Sequence, residues 1–341
     1  MSRPARVWLS FASMVSAGYR ACHIFDSESP LIYPRPMKFS LAGPIAAAFT
    51  PFARNGSLEI STISKLLELY LESGVGGVFV AGTTGECHSL TVEERQQLTT
   101  EWVRVGKDKL PVVVHVGHNS LPDARALASH AQEAGADALA AMAPFFFKPS
   151  SVTDLVDYLA AIASAAPRLP FYFYDIPCMT GVQLPTAEIL QQSMKRIPNF
   201  AGLKFTSHDL MTYLECRAVS SQLDCLYGHD EMLLAAMSLG ARGAIGATYN
   251  YAAPVYVRLM QAFDRGDLDV ARREQLKSVQ LVRALVATGV LRGGKAIMQM
   301  MGVDCGSVRL PLKELTPQER ETLYRAVSDL DVFARQIRPI A

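Results

Sequence analysis

The chain has 341 residues, half of them hydrophobic, with 33 basic against 32 acidic side chains and a formal net charge of +1. This balance leaves no electrostatic footprint for nucleic acid or an anionic membrane, and no apolar run reaches the roughly 20 residues a membrane span needs. Six cysteines, scattered without a C-x-x-C pair, read as reduced thiols of an intracellular protein rather than a disulfide framework.

Residues 1–36 differ in composition from the rest of the chain, with Arg3, Arg6 and Arg20, several serines and no acid before Asp26. That composition suits a targeting peptide; it equally suits a disordered extension ahead of a start at Met37. The expected compartment is the cytoplasm, with organellar targeting left open by this extension.

From residue 40, short β-rich runs alternate with amphipathic helical stretches. The runs are "GPIAAAFTPF", "GGVFVAGTTGE", "LPVVVHVGH", "ADALAAMAPFFF", "LPFYFYDIP", "FAGLKFTS", "LDCLYGHDE" and "ARGAIGATYNY". Each is nearly continuous in apolar or small residues, as parallel strands buried on both faces require. Between them lie helical patterns such as "ISTISKLLELYLESG" and "PDARALASHAQEAG", closed by Gly74 and Gly135 in the manner of left-handed C-caps. Strand ends recur on the order of every thirty residues, the length of one βαβ unit. The expected fold is therefore α/β, a (β/α)8 TIM barrel over residues 37–251. Helical patterns after Tyr251 place a C-terminal helical region over 252–341, completing a single catalytic domain. A doubly wound sheet is disfavoured, because "AGTTGE" is not the G-x-G-x-x-G such a fold places after its first strand.

Chemistry in such barrels stands at the C-terminal ends of strands. The polar residues there are Thr83, Thr84 and Glu86; His115 and His118; Tyr174 and Asp175; Lys204 and Thr206; Asp230 and Glu231; Thr248, Tyr249 and Asn250. Lys204 ends the sixth run, and Tyr174 ends the fifth. A lysine there pairs with an anion or, if neutral, forms a Schiff base with a carbonyl. At an ordinary pKa only about one lysine in 2,500 is neutral at pH 7, so an apolar pocket must lower the pKa by roughly three units. Leu203, Phe205 and the aromatic run Phe171–Tyr174 suit that desolvation. Tyr174 is a candidate proton carrier. The Gly-flanked "GTTGE" turn offers backbone N–H groups and two hydroxyls to a carboxylate or phosphate. His115 and His118 invite a metal reading, but strand alternation sends their rings to opposite faces.

"AGTTGE", "YDIPCMTGV", "GLKFTS" and "GAIGATYNY", in this order at these strand ends, resemble the superfamily of pyruvate-handling class I aldolases that holds the N-acetylneuraminate lyases and dihydrodipicolinate synthases. The resemblance runs from about residue 40 to the C-terminal helices. It is closer to the lyase branch: Met179 stands where synthases carry an arginine, and Gly228, Asp230 and Glu231 match the lyase "G-x-D-E" element. The resemblance implies a Schiff base on Lys204 with C2 of open-chain N-acetylneuraminate. It implies proton transfer at the C4 hydroxyl by Tyr174, a pyruvyl carboxylate held by Thr83 and Thr84, and sugar contacts from Thr206, Gly228, Asp230 and Glu231. The products would be N-acetylmannosamine and pyruvate, with no metal, no organic cofactor, small-molecule partners only and a homotetrameric assembly. Two departures stand out. Ala247 replaces a serine common in lyases, and "PFFF" (Phe145–Phe147) lacks a tyrosine of bacterial relatives, which removes any relay through it. Three rival expectations stand beside this one: the same imine chemistry on another 2-keto-3-deoxy sugar acid, a metal-dependent site on His115 and His118, and a non-catalytic sugar-acid binder.

Overall fold

Eight parallel strands pair in chain order, and β1 (Gly43–Ala47) closes on β8 (Gly243–Gly246), so that no sheet edge is left. Between these lie β2 (Gly77–Val80), β3 (Val112–His115), β4 (Ala138–Met142), β5 (Phe171–Asp175), β6 (Phe200–Phe205) and β7 (Asp224–Tyr227). The computed structural model describes residues 39–340; the expected targeting or start-site segment lies outside them. The eight strands fall in the eight apolar runs, each shorter than its run because the polar ends are loops.

Around the barrel lie α1 (Ile63–Ser73), α2 (Val92–Gly106), α3 (Leu121–Ala134), α4 (Val152–Ala163), the single turn α5 (Pro177–Thr180), α6 (Thr186–Arg196), α7 (Leu210–Val219), α8 (Leu233–Ser238) and α9 (Tyr249–Asp264). α2 starts at a Thr91–Glu94 capping box, which satisfies two otherwise orphaned backbone donors. α1 and α3 end at Gly74 and Gly135, both in the left-handed region, as the helical patterns require.

The strand period of two sorts the side chains into two cores. Ile45, Phe79, Val113, Ala140, Tyr172, Tyr174, Leu226 and Ile245 fill the barrel interior. Phe171, Phe173, Leu203 and Phe205 belong instead to the layer between strands and helices. The expectation that Leu203 and Phe205 desolvate Lys204 is thereby corrected: as sequence neighbours on a strand they point to the opposite face. The dry surroundings of that lysine come from other strands.

α9 begins directly after β8, crosses position 251/252 and packs against β1 and α1. Beyond it run α10 (Leu268–Thr288), α11 (Val290–Met300) and α12 (Pro317–Val327), with α10 packed along α9. α11 carries the buried Lys295, whose Nζ lies 2.8 Å from an Oε of the buried Glu86. The C-terminal helices are thus tied to the loop after β2 at the barrel mouth.

Candidate active site

Lys204 stands one residue before the end of β6, in register with Tyr174 on β5 and Leu226 on β7. Its side chain enters the barrel interior and is 4 % exposed. The ammonium nitrogen lies 3.9 Å from the centroid of the Phe79 ring and 3.9 Å from that of Tyr174. Burial lowers its pKa to about 7, against the opposing pull of Asp230 and Cys87. Near neutral pH about half the population holds a free amine, where an ordinary lysine has almost none.

Tyr174 packs edge-on against Phe79 and His115, with centroid separations of 5.6 and 5.8 Å. Its phenol oxygen shares a hydrogen bond of 3.2 Å with the Thr83 hydroxyl. Burial pushes the phenol well above its usual range while the Thr83 hydroxyl acts against the shift, so it rests protonated.

Thr83 and Thr84 sit on the turn after β2, where Ala81 and Glu86 adopt left-handed backbone at φ 53° and 55°. Such conformations are unusual for residues with a Cβ and persist only where surrounding structure holds them. Here the Thr50 hydroxyl donates to the Gly85 carbonyl at 2.6 Å, and Glu86 accepts from the Arg309 backbone N–H at 2.9 Å. Thr84 is buried within this turn.

Thr206 follows β6, and its hydroxyl is buried without a hydrogen-bond partner among the described residues. Gly228 follows β7 and lies so close that a Cβ there would come within 2.0 Å of that hydroxyl. Asp230 is buried; its Oδ2 accepts from the Thr248 backbone N–H at 2.9 Å and from the Thr248 hydroxyl at 2.6 Å, while Oδ1 is unpartnered. Burial raises this carboxyl to about 6, although both Thr248 bonds favour the charged form. Glu231 turns the other way, towards the rim, with an oxygen 3.4 Å from His229 Nδ1 and 3.6 Å from His208 Nε2.

The structure therefore joins Lys204, Tyr174 and Thr83 by direct contacts, sets Gly228 against Thr206 at the ends of β7 and β6, and leaves Asp230 close enough to act on the charge of Lys204. It directs His115 and His118 apart. The His115 ring lies in the barrel with Nδ1 3.0 Å from the Ala81 carbonyl, whereas His118 Nδ1 accepts from the Ser120 backbone N–H. Tyr249 and Asn250 turn into the core, where Asn250 accepts from Phe49 N–H and donates to the Ala47 carbonyl. Phe79 was not among the mouth residues read from the sequence, since it lies inside an apolar run; only barrel closure aims its ring at Lys204. The outward swing of Glu231 towards two histidines was equally absent from that reading.

A closed (β/α)8 barrel that buries one lysine between two aromatic rings, beside a hydrogen-bonded phenol, has the parts of a class I, imine-forming aldolase. The chain belongs to the dihydrodipicolinate synthetase family, which it matches over residues 40–330. It is 40% identical over 303 residues to the N-acetylneuraminate lyase of Homo sapiens, an alignment covering 87% of this chain and 95% of that protein. Among solved structures it resembles the N-acetylneuraminate lyase of Proteus mirabilis at 36% identity and a TM-score of 0.84, over 86% of this chain and 99% of that one. It likewise resembles the N-acetylneuraminate lyase of Aliivibrio salmonicida at 40% identity and a TM-score of 0.83, over 86% and 98% of the two chains.

Proposed function

We propose that this chain is a lyase that cleaves N-acetylneuraminate to N-acetylmannosamine and pyruvate through an imine on Lys204. The observation that carries the reading is the placement of the Lys204 nitrogen, buried and 3.9 Å from the rings of Phe79 and Tyr174, where burial favours the free amine. No carboxylate among the described residues forms an ion pair with this amine, and two aromatic rings lie against it.

The reaction runs in balanced steps. The free amine of Lys204 adds to the C2 ketone of the open-chain substrate, giving a carbinolamine. Tyr174 donates its phenol proton to the departing hydroxyl, so water leaves and an iminium stands beside a phenolate. That neighbouring positive charge offsets the burial that otherwise keeps the phenol protonated. The C3–C4 bond then breaks, its electron pair moving towards the iminium nitrogen, while the phenolate takes the C4 hydroxyl proton. N-acetylmannosamine departs as the aldehyde. The Tyr174 phenol then protonates the enamine at C3, and water adds to the resulting iminium while the phenolate takes its proton; collapse of this carbinolamine releases pyruvate and restores the amine. Thr83 and Thr84 hold the carboxylate from the turn after β2, and Thr206, Gly228, Asp230 and Glu231 meet the sugar chain. The Thr206 hydroxyl, buried without a partner among the described residues, suits such a contact.

Borohydride added with pyruvate to the folded protein should leave a pyruvyl mass on the peptide containing Lys204; an unlabelled peptide would overturn the reading. Cleavage of N-acetylneuraminate faster than of a shorter 2-keto-3-deoxy acid separates the proposal from the same chemistry on another sugar acid. Binding without pyruvate release would identify a non-catalytic barrel. The working form is proposed to be a homotetramer, in keeping with the exposed rings of Phe146 and Phe147 on the loop after β4, and light scattering tests it. No helix among the described residues is long and apolar enough to cross a membrane, and the proposed compartment is the cytoplasm.

A further inference from the structure

His208 and His229 stand on adjacent loops at the barrel mouth, after β6 and β7, with Glu231 in the turn just beyond His229. Their ligand atoms lie within 4.8 Å of one another: Nε2 of His208, Nδ1 of His229 and a carboxylate oxygen of Glu231. The two nitrogens are 3.6 and 3.4 Å from the same oxygen of Glu231. A zinc-class ion bonded at about 2.0–2.2 Å to imidazole and carboxylate sets its ligand atoms about 3.3–3.5 Å apart in a tetrahedron. The two nitrogen–oxygen separations match an edge of such a tetrahedron, and two imidazoles with one carboxylate form the donor set of an open zinc site.

The loops are braced independently of any ion. Tyr227 donates its phenol proton to the Ser207 carbonyl, joining the loop after β6 to the end of β7. The Asp230 carbonyl accepts from Gln275 Nε2 and Ser278 Oγ of α10, which fixes the turn carrying Glu231. The imidazole rings are stacked, with centroids 4.0 Å apart and planes 19° from parallel. An ion has to lie near the plane of each ring, so one ring must turn on binding; His208, with a side chain 67% exposed, has the room.

We propose that His208, His229 and Glu231 bind a divalent transition-metal ion of the zinc class at the rim of the pocket, and that the bound ion withdraws Glu231 from the sugar chain. The ion stands apart from the chemistry at Lys204 and acts as a competitive brake on substrate entry. The binding half needs only these three side chains; the competitive half rests on the role of Glu231 in the proposed lyase.

The full chain carrying Cys178→Ser, which removes an exposed thiol, is titrated with Co2+ in the absence of substrate and followed by its visible ligand-field bands. Binding of Zn2+ is then read by displacement. One equivalent per chain is expected, with His208→Ala and His229→Ala each weakening it tenfold or more. Affinity unchanged in the His208→Ala/His229→Ala double variant overturns the site. In the steady state, Zn2+ should raise KM for the sugar acid with kcat unchanged, and the double variant should lose this response. Binding through the three residues with KM unmoved overturns the competitive half. A failure of the lyase reading is distinguishable, because it appears as absent turnover in metal-free enzyme while the cobalt titration is unaffected.

Discussion

Tyr174 and Lys204 are partners in the β5–β6 register, and the lysine nitrogen lies 3.9 Å over the tyrosine ring. In a parallel pair, residues in register send their side chains to the same face. The acid–base group and the nucleophile are therefore held by the barrel itself rather than by a loop, and removing one need not displace the other.

This separation predicts distinct variants. Tyr174→Phe keeps the ring beside the amine and removes only the proton carrier. It should still be trapped by borohydride and pyruvate at Lys204, while kcat falls by about 10²–10⁴. Lys204→Ala should lose both trapping and turnover. Thr83→Val, which removes the 3.2 Å hydrogen bond to Tyr174, should lower kcat by a smaller factor. Mass spectrometry of the trapped peptide beside a coupled pyruvate assay checks all three.

The depressed pKa of Lys204 also sets a pH dependence of stability. Folding holds the amine near 7, from an ordinary 10.5, chiefly by burial. Between those values the unfolded chain binds a proton that the folded chain has released, so the contribution of this residue to stability rises with pH from about 7 to 10.5. Below 7 both states are protonated and the burial penalty, about 5 kcal/mol, is present in full. Lys204→Met should consequently be more stable than the parent at pH 6, and the difference should shrink as pH approaches 10. Denaturant melts of both proteins across this range read the difference directly. A constant gap would mean that the amine is not perturbed.

Much of this was legible before the fold was seen, and the reason is periodicity. Eight apolar runs at βαβ spacing define a barrel, and a barrel defines its catalytic end; Lys204 and Tyr174 are then picked out by their positions at the ends of two runs. What stayed hidden was whatever depends on which strands become neighbours across the interior. Phe79 forms one wall of the lysine pocket from another strand, and Leu203 and Phe205, adjacent in sequence, line a different core. The opposite fates of Asp230, turned inward to Thr248, and Glu231, turned outward to two histidines, depend on the turn they share. Neither residue type nor spacing distinguishes them.

Gly228 provides a steric test of the mouth. A Cβ at this position would lie 2.0 Å from Thr206 Oγ1 and 2.9 Å from the Phe205 carbonyl oxygen. Because backbone borders one side, the Thr206 side chain or the loop after β7 must move. Gly228→Ala should cost about 1–3 kcal/mol of stability and raise KM for the sugar acid, while borohydride trapping with pyruvate alone stays intact. Loss of trapping in a folded Gly228→Ala protein would place this glycine at the imine rather than at the sugar.

The buried pair of Glu86 and Lys295 links α11 to the strained turn that carries Thr83. Lys295 also donates to the carbonyls of Thr50 and Ser307 at 2.9 and 2.7 Å, so its charge has several partners but, among the described residues, a single counter-ion at hydrogen-bond range. Burial pulls its pKa down while Glu86 holds it up. Glu86→Gln leaves an uncompensated buried cation, and the expected loss is about 3–5 kcal/mol, the usual result of breaking one side of such a pair. Adding Lys295→Met should recover part of that loss, because the double variant buries no lone charge; denaturant midpoints at constant m-value measure both. A glutamine oxygen can still accept from the Arg309 backbone N–H, but the double variant loses the Lys295 tie between α11 and the turn. It should therefore regain stability without regaining full kcat, since the turn that carries Thr83 loses that tie. Complete recovery of both would show that the pair stabilises the fold without positioning the site.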